Sequence, residues 1–274
     1  MIGHIASETI SVCGIQTDVL SGGQGPQLLF LHSNWGPDAY SDAYLRALAE
    51  SYRVAAPFHP GYGRYDRPKH FTSVGDLAYF YLDYLQKQDL SEVILVGASF
   101  GGWIASEIAV RSTQRLSKLV LVDPFGIKTG DRENRDIVDF FAIGDAERRR
   151  LEFERSDFQF LDYASKSDEE LTIIARGREA EVHYGWSPFM HNPQLKHWLH
   201  RIDVPTLILR GSDDHVISYS NHASYCGLIS QANVELIPDA GHYPHVEQPE
   251  AFADRVNEFV GGPLCSSLSR FASR

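Results

Sequence analysis

The sequence predicts an α/β protein: a mostly parallel central sheet flanked by helices, with a helical cap inserted between two core strands. Three observations predict it. Short apolar, β-branched runs alternate with amphipathic helical runs along most of the chain. One of those runs, Glu92-Val93-Ile94-Leu95-Val96, passes directly through Gly97-Ala98-Ser99-Phe100-Gly101 into a helix-forming stretch. Between Val122 and Thr206 the strand rhythm stops and charged and aromatic helical segments replace it.

In chain order, the segment through Val19-Leu20 reads as a β-hairpin closed by Ser21-Gly22-Gly23-Gln24-Gly25-Pro26, a dense turn cluster. Leu28 to Leu31 is a buried strand, followed by a helix around residues 40–50 and a strand at Arg53-Val54-Ala55-Ala56 that ends in Pro57. Val74, Leu77, Ala78, Tyr81, Leu82 and Leu85 recur at helical spacing, so this segment packs one face on the sheet. After the glycine-flanked serine, Leu119 to Val122, Thr206 to Leu209 and Val234 to Ile237 supply further strands, and Phe252 to Phe259 a closing helix. Asp145 opens a capped, solvated helix in the insertion, and Asn192-Pro193 starts another with asparagine as N-cap and proline at the first helical position. Residues 1–128 and 203–262 are expected to form the core, 129–202 the cap, and 263–274 a frayed tail.

Composition narrows the classes. A net charge of −11 disfavours nucleic acid and anionic membranes as partners. Cys13, Cys226 and Cys265 are odd in number and scattered, which fits free thiols in a reducing cytoplasm. The first residues carry neither a basic nor an apolar leader pattern, and no apolar run could span a bilayer. The expectation is a cytoplasmic protein that meets a small-molecule substrate and needs no cofactor; a homodimer is compatible with it.

Chemistry concentrates at Ser99. A serine between two glycines at a strand-to-helix turn is a nucleophile elbow, where the strained turn leaves no room for a neighbouring Cβ. A serine alcohol needs a base and a group to orient that base. His242, in Asp239-Ala240-Gly241-His242-Tyr243-Pro244, follows the last strand; His245 is its nearest rival, and the glycine before His242 favours the tight loop. Asp214, in Gly211-Ser212-Asp213-Asp214-His215, completes the order Ser, Asp, His. Asp123, at the end of the preceding core strand, competes with it for the role of acid. The backbone N–H groups of Phe100 and Asn34 are the expected oxyanion-hole donors, with the Asn34 side chain able to assist. Trp35, Phe140 and Trp186, among the aromatic residues near and within the insertion, are expected to line an apolar pocket over Ser99. His183, His191, His197 and His200 lack a completing carboxylate, so they read as packing or solvated residues and no metal is expected.

These motifs together resemble the α/β-hydrolase fold family, in particular its capped serine-hydrolase branch of bacterial esterases and carbon–carbon bond hydrolases. The resemblance runs from Gly25 to Val260 and rests on Leu31-His32-Ser33-Asn34-Trp35-Gly36, His59-Pro60-Gly61-Tyr62-Gly63-Arg64, Val96 to Gly102, Leu209 to Asp214 and Gly241 to Pro249. Two positions depart from the family pattern: His32-Ser33 stands for His-Gly, and His59-Pro60-Gly61 for an aspartate-containing turn, read here as a turn without chemistry. The elbow serine excludes the dehalogenase and epoxide-hydrolase relatives, which need an aspartate nucleophile.

The resemblance implies a serine hydrolase acting through an acyl-enzyme on Ser99. A small or medium carboxylic ester or lactone is the leading substrate class. Carbon–carbon cleavage of aromatic ring-cleavage products is the alternative, although such enzymes commonly carry Asn and Met beside the nucleophile where Ala98 and Phe100 stand. Cofactor-free perhydrolase activity and a slow, receptor-like ligand binder are lesser readings. Arg176 and Arg178 are candidates for a substrate-carboxylate clamp, as in the ring-cleavage-product hydrolases, or for a solvated helix face.

Overall fold

The computed structural model describes residues 4–36, 41–131 and 136–262. The tail expected at 263–274, the start of the helix expected at 40–50, and the first three residues read for a leader lie outside the described residues.

The strands are β1 (Ala6–Val12), β2 (Ile15–Gly22), β3 (Gln27–Leu31), β4 (Arg53–Pro57), β5 (Val93–Ala98), β6 (Leu116–Val122), β7 (Thr206–Gly211) and β8 (Ala232–Ile237). They form one sheet in the order β1-β2-β4-β3-β5-β6-β7-β8. The β1–β2 and β2–β4 pairs are antiparallel and the rest of the sheet is parallel. Helices α1 (Ser41–Ala49), α2 (Val74–Lys87), α3 (Phe100–Arg111), α4 (Asp145–Glu152), α5 (Asp168–Gly185), α6 (Tyr219–Leu228), α7 (Pro244–Glu247) and α8 (Pro249–Gly261) connect them.

The central strands read as unbroken apolar runs because both of their faces are covered. Side chains alternate across the pleat. Leu29, Leu31, Leu95, Leu119, Leu121 and Ile208 join the core under α2 and α3. Leu28, Phe30, Val96, Val120, Val122 and Leu209 join the core under α1 and α8. A one-residue slip of register would exchange the two sets, so the packing holds every carboxyl-end loop in place.

His245, on α7, lies in the second core among the rings of Phe30, Tyr44, Tyr243 and Phe252. Its Nδ1 has no hydrogen-bond partner among the described residues. Burial, reinforced by nearby His242, lowers its pKa from 6.5 to about 3. Below pH 6.5 the unfolded chain therefore takes up a proton that the folded chain excludes, and stability is lost as pH falls. His245→Phe keeps a ring in the cage and removes that uptake. Between about pH 7.5 and 4.5, the variant is expected to gain roughly 2–3 kcal/mol on the unsubstituted protein in urea unfolding. An equal difference at both pH values would show that this imidazole is not held neutral by the fold.

Between β6 and β7 the described chain forms α4, α5 and three single-turn 3₁₀ segments, with no strand. Isolated bridges tie this insertion to the carboxyl end of the sheet, Gly126 to His191 and Ile137 to Ile217. Tyr184 Oη on α5 donates to the Pro60 carbonyl at 3.0 Å, and the Arg176 guanidinium donates to the Arg64 carbonyl and pairs with Asp66. The insertion thus sits down on the loop that follows β4. No helix among the described residues is long and apolar enough to cross a membrane.

Candidate active site

The β5–α3 turn places Ser99 at φ 54° and ψ −109°, a left-handed conformation that an L-residue adopts at a cost of about 1–3 kcal/mol. The glycines around it are required by contact. A Cβ on Gly97 would lie 2.3 Å from the Gly101 carbonyl oxygen, and one on Gly101 would lie 2.1 Å from that of Leu31. Strand and helix therefore close tightly enough to hold the strained serine.

Ser99 Oγ lies 2.8 Å from His242 Nε2, and His242 Nδ1 lies 3.1 Å from Asp214 Oδ2. All three residues are buried, Ser99 completely. The other oxygen of Asp214 accepts the N–H groups of Val216 at 2.7 Å and Ile217 at 3.1 Å. Burial opposes ionisation of Asp214, but the adjoining His242 imidazole outweighs it and holds the carboxyl well below the usual range. The anion fixes which nitrogen of His242 carries the proton and leaves Nε2 to accept from Ser99. The loop glycine before the histidine is also required, because a Cβ on Gly241 would lie 2.7 Å from the Glu152 carbonyl oxygen.

The backbone N–H of Phe100 is the first of α3 and has no partner within the helix. Among the described residues no acceptor takes the backbone N–H of Asn34. The Asn34 side chain is oriented the other way from the assisting role expected of it. Its Nδ2 donates to Glu181 at 2.6 Å, while Oδ1 accepts Tyr243 Oη at 2.8 Å and faces Ser99 Oγ at 3.4 Å. The side chain thus offers an acceptor to Ser99 and cannot stabilise an oxyanion.

The loop carrying Asn34 is braced by two stacked, buried histidines, His32 and His59, with ring centroids 3.6 Å apart. His59 Nε2 donates to the His32 carbonyl at 2.9 Å, and His32 Nε2 accepts the His59 N–H at 2.9 Å. Tyr81 Oη donates to His59 Nδ1 at 2.5 Å. The sequence reading of His59-Pro60-Gly61 as a bare turn missed this clamp, whose partner histidine lies 27 positions away.

One wall next to Ser99 is polar. Arg148 bonds Glu152 at 2.8 Å and forks onto Glu181 at 2.9 and 3.1 Å, and all three are buried. Burial raises the pKa of Glu181, and Arg148 opposes the rise. Tyr243 Oη lies 3.1 Å from Glu152 Oε1, and Trp35 Nε1 donates to Glu152 Oε2 at 3.0 Å. The Arg148 guanidinium stacks 4.9 Å from the Trp35 ring and 4.4 Å from the Phe140 ring. Of this wall, Trp35 and Phe140 were expected from the sequence, whereas Arg148, Glu152, Glu181 and Tyr243 were not singled out as part of the site; the i, i+4 spacing of Arg148 and Glu152 was the visible hint.

The other wall is aromatic. Phe125 lies 5.2 Å from the His242 ring and 5.8 Å from Phe140, which packs on Phe189 at 5.5 Å. Phe189 lines a cavity of about 180 Å³ together with Ile137, Lys128 and His191. Trp35 and Phe140 therefore adjoin the site, whereas Trp186 does not. Trp186 caps the carboxyl end of α5, is 62% exposed and packs on Phe141. Arg178 is paired with Asp145 and Tyr163, and Arg176 holds the core loop described above.

A strained elbow serine with its imidazole and carboxylate in series stands at the carboxyl edge of a doubly covered, mostly parallel sheet, beside the backbone N–H groups of Phe100 and Asn34, for which no acceptor is found among the described residues. The alpha/beta hydrolase family model matches residues 28–255. The chain belongs to the alpha/beta hydrolase family. It is 27% identical to the 2-hydroxymuconate semialdehyde hydrolase of Pseudomonas sp. strain CF600, over 95% of each chain. Among solved structures it is similar in fold to a bacterial membrane phospholipase A, with TM-score 0.77, 23% identity and coverage of 94% of this chain and 86% of that one. It is also similar in fold to the 2-hydroxy-6-oxo-6-phenylhexa-2,4-dienoate hydrolase of Rhodococcus sp. strain RHA1, with TM-score 0.74, 17% identity and coverage of 95% and 100%. This hydrolase is closed as it stands, because Ser99 has no exposed surface.

Proposed function

We propose that this hydrolase cleaves a carbon–carbon bond in a small, vinylogous diketone of the kind that ring cleavage of an aromatic compound produces. The observation that carries the choice of bond is the end-to-end likeness to 2-hydroxymuconate semialdehyde hydrolase, over 95% of both chains. Support comes from the two walls beside Ser99. The aromatic side suits an apolar acyl group, and the Arg148–Glu181–Asn34 side suits a polar remainder.

In this reading the substrate reacts as its diketo tautomer, in which the carbon beside the attacked carbonyl is saturated; Ser99 Oγ attacks that carbonyl carbon and passes its proton to His242 Nε2, while the carbonyl π pair moves onto oxygen. The N–H groups of Asn34 and Phe100 hold that oxyanion, and Asp214 stabilises the imidazolium. As the oxyanion collapses, the carbon–carbon bond breaks, its electron pair enters the conjugated leaving group, and His242 returns the proton to it. Water, deprotonated by His242, then cleaves the acyl-enzyme and restores Ser99. No step calls for a cofactor. Residues 129–202 act as the lid that excludes bulk water during these steps.

A second reading, hydrolysis of a small or medium carboxylic ester or lactone, is favoured by Ala98 and Phe100 flanking the nucleophile. The same triad serves both, so substrates decide between them. The test compares kcat/KM for 2-hydroxymuconate semialdehyde, followed by loss of its colour, with that for a nitrophenyl ester of similar size. At least about a hundredfold preference for the ring-cleavage product is expected. A preference of that size for the ester would overturn the carbon–carbon reading and leave the triad standing.

A further inference from the structure

Behind the Ser99–His242–Asp214 series lies a second carboxyl, Asp123, which that series does not use. It follows β6, next to β7 in the sheet, and is held at φ 41° with no exposed surface. Its Oδ2 accepts the Gly211 N–H at 3.0 Å. Its Oδ1 lies 2.8 Å from Nε2 of His222, a buried histidine on α6. Ligand-type atoms of Asp123, Asp214 and His222 all lie within 4.8 Å of one another. Two buried carboxyls this close cannot both be ionised without large cost. Each donor atom here is already engaged by a protein group, so the cluster reads as a proton-sharing set.

The proton count follows from His222. Its Nδ1 lies 3.2 Å from the Ser218 carbonyl, which can only accept, so Nδ1 carries a hydrogen. One further proton then occupies the line between His222 Nε2 and Asp123 Oδ1. We propose that Asp123 and His222 are positioning residues, a neutral pair whose shared proton leaves Asp214 as the sole negative charge behind His242. Nε2 of His222 gives the Asp123 proton an acceptor other than Asp214. With that acceptor in place the Asp214 carboxylate keeps its full charge for the imidazolium that forms in the reaction.

The groups facing the pair agree with this. Burial first, then the charge of Asp214 and hydrogen bonding to it, push Asp123 well above the usual carboxyl range, so it keeps its proton, for which Asp214 and His222 Nε2 compete. Burial lowers His222 to about 4, against the pull of Asp214, with Arg210 and His242 adding to the lowering. An imidazole of that pKa accepts from Asp123 at neutral pH and does not take its proton.

The inference rests on the triad reading, and the experiment separates the two. The readout is the pH profile of kcat/KM on whichever substrate is turned over, with thermal unfolding as a check on folding. Asp123→Asn replaces the acid by a neutral isostere whose Nδ2 donates to His222, so activity within about threefold and an unmoved acidic limb are expected. His222→Phe removes the acceptor and turns the Asp123 proton onto Asp214. Activity is then expected to fall about tenfold, with the acidic limb about one pH unit lower. His222→Gln restores an acceptor and is expected to match the unsubstituted enzyme. The double variant D123N/H222F, which has no acid proton to redirect, is expected to recover the position of the limb. If His222→Phe does not fold, the smaller His222→Leu makes the same comparison. A limb moved by Asp123→Asn, or a His222→Phe loss that persists in the double variant, would overturn the proposal. Full activity in Ser99→Ala would instead overturn the triad reading and the inference with it.

Discussion

Replacing Ser99 with alanine is expected to lower kcat by about 10⁵- to 10⁶-fold on any substrate the hydrolase turns over. The size follows from the site's geometry. His242 Nε2 has the Ser99 hydroxyl at 2.8 Å as its reacting partner, and the Asn34 side chain presents a carbonyl there and not a nucleophile. What remains in the variant is the oxyanion pair and substrate binding, which act without covalent chemistry. Folding is expected to be unaffected. Alanine occupies the same strained backbone, and the helix and strand contacts that hold the turn are made by glycines 97 and 101. The checks are single-turnover kinetics and intact-mass detection of an acyl adduct. A stoichiometric adduct in the unsubstituted enzyme and none in the variant would establish Ser99 as nucleophile. Unchanged turnover in a folded Ser99→Ala protein would remove it from the chemistry.

The second large effect concerns Gly101. Its virtual Cβ would lie 2.1 Å from the Leu31 carbonyl oxygen and 2.5 Å from that of His32, both backbone atoms that cannot rotate away. Gly101→Ala must therefore lift α3 from β3, and a cost of about 3 kcal/mol or more is expected. The same displacement would move the Phe100 N–H away from the loop that carries Asn34, so activity should fall further than stability alone explains. Gly227 on α6 is the contrasting case. A Cβ there meets nothing within 4 Å, and the substitution to alanine is expected to stabilise by about 0.5–1 kcal/mol through helix propensity. Denaturant unfolding of both variants measures the contrast, and a Gly101→Ala protein as stable as the parent would show that the elbow is looser than described.

Much of the architecture was legible because it depends on local pattern. The strands from Leu28 to Leu31 and from Val93 to Val96 are apolar at every position, as burial on two faces demands, and the glycines around Ser99 mark a turn that few other residues tolerate. Asp214 and His242 were placed by chain order and by their loops, each following a strand, with a glycine before the histidine. The 3.1 Å between them and the 2.8 Å from His242 to Ser99 are set by the parallel register of β5, β6, β7 and β8. The walls of the site were not legible in the same way. Asn34 meets Glu181 across 147 positions and Tyr243 across 209, and no periodicity links such residues. Trp186 illustrates the same limit in reverse: its aromatic ring suggested a pocket, yet its place at the end of α5 turns it to solvent.

Asp123 sharpens the distinction. Asp123 and Asp214 both follow a strand at the carboxyl edge of the sheet, and the loop motif Gly211-Ser212-Asp213-Asp214 favoured Asp214 as the acid, with Asp123 its competitor. Tertiary structure separates them by surrounding one with Gly211, His222 and the other carboxyl, and the second with His242 and two loop N–H groups. The sequence by itself determined the sheet and the elbow that carries Ser99, because each is dictated by side-chain volume and backbone sterics within a few residues. Only the tertiary structure decided how each carboxyl is surrounded, which way Asn34 points and what closes over Ser99, because those depend on solvation and hydrogen-bond partners brought together from distant parts of the chain.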